Sequence, residues 1–218
     1  MLDAVILCGG LGTRLRSILP EGYPKTLVEV NGEPFLRLLL RHLDRRGFRR
    51  AVLAAGYGRE TLEDYLQTMD FEFDSVTVVT DGDKPQGTWP AVVRAAQAVK
   101  TDPFFVINGD TYCELNYAGM ATRHALAARP PLITIAVDSA RVNAGTMVMG
   151  REMVETIAGG ASLEENISTA IHYRPDDVVF YPIKQRFYDL GTPERVFEFR
   201  RYWSMRSSKH RRLVRGQG

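Results

Sequence analysis

Between Leu7 and Lys25 the chain reads LCGGLGTRLRSILPEGYPK. An apolar run ends in Gly9, Gly10 and Gly12, Arg14 follows, and a Pro24-Lys25 pair closes the stretch. Such residues at such spacing suit one task, the holding of phosphate. Glycines let backbone N–H groups approach oxygen anions closely. An arginine adds a planar fork and a lysine a mobile point charge. Two familiar phosphate loops are excluded. No G-x-x-x-x-G-K-[ST] occurs, and Gly10-x-Gly12 meets Leu15 where a dinucleotide fingerprint has its third glycine. A bare glycine turn after a strand is as readily structural, and it is Arg14 and Lys25 downstream that turn the reading toward an anion site.

The elements that must position this loop alternate along the chain. Apolar runs at Ala4–Leu7, Ala51–Ala55, Val76–Val79, Phe104–Ile107 and Leu132–Val137 read as strands, with Thr146–Met149, Val178–Ile183 and Arg186–Tyr188 as later ones. Helical spacing marks Pro34–Phe48, Arg59–Met69, Thr88–Val99 (capped by Thr88 or Trp89) and Asn116–Ala128. Ser162 and Glu165 stand at capping-box spacing before a further helix, and Thr192-Pro193 opens the last one, through Trp203. Strands alternating with helices predict an α/β fold, a mostly parallel mixed sheet with helices on both faces.

Composition bounds the rest. The 218 residues are 44% hydrophobic and 25% charged, which suits one sizeable domain. No apolar run approaches the roughly 18–20 residues of a membrane helix. The start, MLDAVILCGG, lacks a basic region and reads as a first strand rather than a secretory signal. Two isolated cysteines, Cys8 and Cys113, and four scattered histidines give neither a disulfide framework nor a zinc site, and point to the cytoplasm. Five of the 28 basic residues fall after residue 203 with no acidic residue among them, leaving 23 against 26 acidic in the body. A domain over 1–203 and a basic, disordered tail over 204–218 are expected, with no nucleic-acid or membrane partner. Val196, Phe197, Phe199 and Trp203 suit either a core or a homo-oligomer contact.

The loop GGLGTRL, then Pro-Lys, then LVEVNGEPFL, resembles the sugar-1-phosphate nucleotidyltransferases. The wording is most similar to their D-glycero-α-D-manno-heptose 1-phosphate guanylyltransferase branch, near the mannose-1-phosphate guanylyltransferases, with weaker agreement from about Ala4 to Phe199. The resemblance implies a single Rossmann-like (GT-A-like) nucleotidyltransferase domain. It implies a reaction in which a sugar 1-phosphate, heptose or hexose, attacks the α-phosphorus of a nucleoside triphosphate, best GTP, and pyrophosphate leaves. Leu7, Cys8, Gly9, Gly10, Gly12 and Thr13, with Arg14 and Lys25, would hold the nucleotide. Gly87 and Thr88, in Pro85-Gln86-Gly87-Thr88, would face its base. Arg14, Lys25 and Asp110 would be catalytic. Asp110, ending FFVINGD, and Asp189, in FYDLGTPE, would hold Mg²⁺, which is commonly bound by one or two carboxylates plus substrate phosphates. Taken singly, each aspartate is as well a turn or cap residue. Asn143 and Gly145, from Asn143-Ala144-Gly145, and Glu164 would face the sugar, while Glu165 suits the cap of Ser162.

Two departures stand out. Trp89-Pro90 replaces the family's Gly or Ala, and Trp89 suits a base stack or a packed helix start equally. Only Ser139, Ala140, Arg141 and Val142 separate Asp138 from Asn143, where the family has a Glu-Lys-Pro segment whose lysine binds the sugar phosphate. Arg141 or Lys184 would have to replace that charge. The alternatives are the same transfer from CTP, UTP or dTTP, and a non-catalytic nucleotide-binding regulatory module.

Overall fold

With no polar side chain, Ala4–Leu7 is suited to burial on both faces, and it forms β1 in the interior of the sheet. The computed structural model describes residues 2–70, 73–80, 86–127, 129–157 and 160–215. After β1 come the short strands β2 (Glu29–Val30) and β3 (Glu33–Pro34), α1 (Phe35–Asp44), β4 (Arg50–Ala55), α2 (Arg59–Gln67) and β5 (Ser75–Thr80). The middle of the chain gives α3 (Thr88–Ala98), β6 (Phe104–Asn108), β7 (Thr111–Cys113), α4 (Tyr117–Ala125), β8 (Ile133–Val137) and β9 (Asn143–Met149). The last part gives α5 (Arg151–Thr156), α6 (Leu163–Tyr173), β10 (Val178–Pro182), β11 (Phe187–Asp189) and α7 (Pro193–Arg215).

Seven strands form the main sheet in the order β10-β8-β9-β6-β1-β4-β5. Its pairings are parallel except those of β9, which runs antiparallel to β6 and β8. Alternation along β1 sends Ala4 and Ile6 to one face and Val5 and Leu7 to the other. On the first face pack α1, α2, α4 and α7; on the second, α3, α5 and α6. Phe48, fully buried, stands edge-on to Phe105 and Tyr117. Emptying that position would cost about 3–5 kcal/mol.

Several sequence expectations need correcting. Helix α1 stops at Asp44 rather than Phe48, because Gly47 N and Phe48 N turn back onto Asp44 O and Leu43 O. Thr88 does not cap α3: Gly87 precedes the helix, and the Thr88 hydroxyl accepts from Leu163 N at 2.8 Å, tying α3 to α6. The last two expected strands form, in separate sheets. Strand β10 extends the main sheet beside β8, whereas β11 forms a ribbon with β7. The expected disordered tail begins as helix, since α7 continues to Arg215 and no glycine or proline interrupts the chain between Pro193 and Gly216. On α7, Val196 and Phe199 are core residues and Phe197 is exposed. Among the described residues no helix is long and apolar enough to cross a membrane.

Candidate active site

Where β1 and β6 end, the chain leaves a cavity of ≈ 420 Å³. Such a place, outside the carboxyl ends of parallel strands, is where open α/β sheets bind ligands. The loop after β1 supplies Leu7, Gly9, Gly10 and Arg14 to its wall, and Lys25 reaches it from the short 3₁₀ turn Lys25–Leu27. Asp110 comes from the end of β6, Asn143 and Gly145 from the start of β9, and Asp189 from the end of β11. Gly87, Thr88 and Glu164 close the far side, from the starts of α3 and α6.

Three of the expected nucleotide residues do not line the cavity. Cys8 is buried beneath the loop, and that burial pushes its thiol up to about 12, which keeps it protonated. Gly12 takes a left-handed conformation ahead of the 3₁₀ turn Thr13–Leu15, which Thr13 begins. These residues shape the loop that carries Arg14. Pro85 lies outside the described residues. The structure adds Asn108, Thr111 and Phe187 to the wall. Asn108 sits in the Asn-Gly-Asp run that ends β6 and is legible there; Phe187 carries no signal of its own.

Both aspartates of the site are paired with cations. Lys25 Nζ lies 2.5 Å from Asp110 Oδ2, with side chains 23% and 11% exposed. Gly10 packs against it: a Cβ there would stand 2.8 Å from Lys25 Cε and would push the end of the lysine side chain aside. Asp189 accepts from Gly191 N at 2.7 Å through Oδ1, and its Oδ2 is bound by Arg195. A Cβ at Gly191 would lie 2.8 Å from Asp189 Oδ1 and 3.0 Å from Arg14 Nη2, so Arg14 also reaches the surroundings of this carboxylate. The two aspartates are brought together by the β7–β11 ribbon: Asp189 stands opposite Thr111, and Leu190 N donates to Asp110 O at 2.8 Å.

Two carboxylates in one wall offer hard oxygen donors. Among the described residues no group of three His, Cys, Asp or Glu is placed to enclose a metal. That donor set fits a hard divalent cation that draws its other ligands from phosphate and water.

The open sequence questions also resolve in space. Trp89 is 5% exposed and packs in the core around α3, not in the cavity. Glu165 completes the capping box with Ser162, while Glu164 lines the cavity. The short connection from β8 to β9 is a tight turn in which Asp138 Oδ1 accepts from Ala140 N and Val142 N. Neither expected substitute cation reaches the cavity wall. Arg141 lies over the Phe180 ring at 5.4 Å, and Lys184 lines a separate cleft with Arg46 and Glu114.

Residues 4–174 match the MobA-like NTP transferase domain family. Among curated proteins, the D-glycero-alpha-D-manno-heptose 1-phosphate guanylyltransferase of Campylobacter jejuni is 34% identical over 116 residues, 53% of this chain and 50% of that protein. The protein of the same description from Aneurinibacillus thermoaerophilus is 31% identical over 124 residues, 56% of this chain and 52% of that one. The chain thus spans about half the length of the curated relatives it matches. Among solved structures, HddC from Yersinia pseudotuberculosis complexed with GMP-PN superposes with a TM-score of 0.76 at 26% identity, over 93% of this chain and 100% of that one. A UDP-glucose pyrophosphorylase from Acinetobacter baumanii gives a TM-score of 0.77 at 16% identity over the full length of both chains, a likeness of fold.

Proposed function

The chain belongs to the MobA-like NTP transferase domain family, and from that premise we propose that it transfers GMP from GTP to a heptose or hexose 1-phosphate. An oxygen of the acceptor phosphate attacks the α-phosphorus. The bond from that phosphorus to the oxygen bridging to the β-phosphate breaks, and pyrophosphate leaves with the electron pair. The products are a nucleotide-sugar and pyrophosphate. Such a reaction asks the protein mainly for positioning and for neutralisation of phosphate charge.

The residues divide that work. Backbone N–H groups of Gly9 to Leu11 and the Arg14 guanidinium receive the triphosphate. Lys25, held under Gly10 by Asp110, sets a positive charge at the loop. Asp110 and Asp189 would hold a divalent cation, Mg²⁺ in this reading, which when bound offsets charge on the transferring phosphates. Gly87 and Thr88 face the base, and Asn143, Gly145 and Glu164 the sugar. Guanine is favoured because HddC, similar along its whole length, was solved with GMP-PN, and because the curated relatives are named guanylyltransferases. Two free, buried cysteines support a place in the reducing cytoplasm.

The observation that carries this reading is that the glycine loop, Lys25, Asp110 and Asp189, spread over 180 residues of sequence, line one cavity. The test is pyrophosphate release with Mg²⁺, offering GTP, CTP, UTP, ATP and dTTP each against heptose and hexose 1-phosphates. Release that requires GTP and one sugar phosphate together supports the transferase. Release with another nucleotide reassigns the base. The shortened β8–β9 turn favours a second reading, a nucleotide-binding regulatory module, and nucleotide binding with no release for any pair would select it.

A further inference from the structure

A sugar 1-phosphate brought against a triphosphate needs a cation of its own, and the arginine in the turn between β8 and β9, Arg141, lies over the Phe180 ring and lines neither the nucleotide cavity nor the cleft beside it. A second cleft, of ≈ 400 Å³, adjoins the nucleotide cavity and shares Asn143, Phe187 and Asp189 with it. Its wall holds two further cations, Arg186 and Arg195. Arg186 is committed elsewhere, paired with Glu198 at 2.7 Å and lying over the Tyr188 ring at 5.0 Å. Arg195, in the first turn of α7, has its guanidinium on Asp189 Oδ2 with the side chain half exposed. That places an arginine fork between the two cavities, on the carboxylate that borders both.

We propose that Arg195 binds the phosphate of the sugar 1-phosphate, taking the part of the lysine that the short β8–β9 turn leaves out. This rests on the transferase reading above. A guanidinium suits the exchange: it binds carboxylate and phosphate oxygens with the same planar geometry, so the phosphate replaces Asp189 as its partner without loss of hydrogen bonds. The acceptor then enters through the second cleft, past Asn143, while the triphosphate occupies the first.

The experiment uses the full chain with Mg²⁺, GTP, and mannose, glucose and D-glycero-D-manno-heptose 1-phosphates as acceptors. Initial rates give KM for each substrate and kcat, and calorimetry gives the affinity for GTP and for each sugar phosphate alone. For Arg195→Gln the expected result is an acceptor KM raised roughly 10- to 100-fold, the loss of a charge-assisted hydrogen-bonded pair, with the KM for GTP changed less than about twofold. Arg195→Lys keeps the charge and should recover part of the loss. An unchanged acceptor KM, with kcat lowered and more Mg²⁺ required, overturns the proposal, because Arg195 then only steadies Asp189. A wild-type chain that binds GTP but none of the three sugar phosphates, and turns over none, overturns the transferase reading and this proposal with it.

Discussion

Replacing Lys25 by Met removes the ammonium from Asp110 while keeping the stem that fills the space under Gly10. Asp110 is 8% exposed, so its carboxylate is left nearly out of water without its cation. An exposed ion pair is worth about 0–1 kcal/mol, whereas breaking a fully buried one costs about 3–5 kcal/mol. At 23% and 11% exposure this pair lies between them, and about 2 kcal/mol is a fair expectation. For a chain of this length each kcal/mol moves Tm by roughly 2–4 °C, so Lys25→Met should melt about 4–8 °C below the parent. Asp110→Asn should cost less, because the ammonium left behind can turn to water. The double variant, Lys25→Met with Asp110→Asn, should regain most of the loss, since no charge is then stranded. Scanning calorimetry at neutral pH reads all four proteins as a double-mutant cycle. All three variants should lose turnover, whatever their stability, if both groups serve phosphate transfer. A Lys25→Met protein melting within about 1 °C of the parent, or a double variant no more stable than that single one, would refute the reasoning that Lys25 offsets a buried carboxylate.

Three further outcomes are expected. Arg14→Ala should lower turnover about 10²- to 10³-fold, the scale of a lost electrostatic contact at a reacting phosphate, and steady-state pyrophosphate release measures it. Trp89→Ala should cost about 3–5 kcal/mol in urea unfolding but leave the KM for nucleotide within about threefold, because the ring fills core around α3; a large KM change with little loss of stability would restore the base-stacking role. Burial pushes His42 and His124 down to about 4, so between pH 6.5 and 4 the unfolded chain binds more protons than the folded one, and stability must fall as pH falls through that window. The loss at pH 5 is about 2 kcal/mol for each histidine, and a Tm that stays level from pH 7 to 5 would exclude it.

What was legible in the sequence follows from what acts locally. Strands β1, β4 and β6 are continuous apolar runs, and α1 and α2 carry apolar residues at helical spacing, so their burial is written in neighbouring positions. The glycine loop was legible because close backbone approach and mobile cations need particular residue types. Strand β7 was not, since Thr111-Tyr112-Cys113 is three residues whose partner β11 lies more than seventy positions away, with no local pattern to announce the pairing. Trp89 looked equally suited to stacking or packing, and only the second face of the sheet decides between them. Arg195 went unread for a similar reason. As the third residue after Thr192 it is an ordinary helix-opening residue, until β11 brings Asp189 against it.

That ribbon also explains how two acidic groups can share a wall. Asp110 and Asp189 lie far apart in sequence; the register of β7 on β11 brings them together, with Leu190 N on Asp110 O. The ribbon is in turn braced from behind by aromatic packing: Tyr112 meets Phe199 and Trp203 of α7 at 5.2 and 5.5 Å, and Tyr188 stacks on Tyr202 at 4.5 Å. Packing of that kind is indifferent to charge, so it holds the carboxylates in place without neutralising them. Neutralisation comes from the open side, through Lys25 on one aspartate and Arg195 on the other. On the proposed reading, an arriving phosphate would meet cations already aligned by acids, and an arriving divalent cation would meet acids already fixed by the ribbon. The position of the two aspartates is thus set by the β7–β11 ribbon with α7 behind it, and their charge is balanced separately, by Lys25 and Arg195.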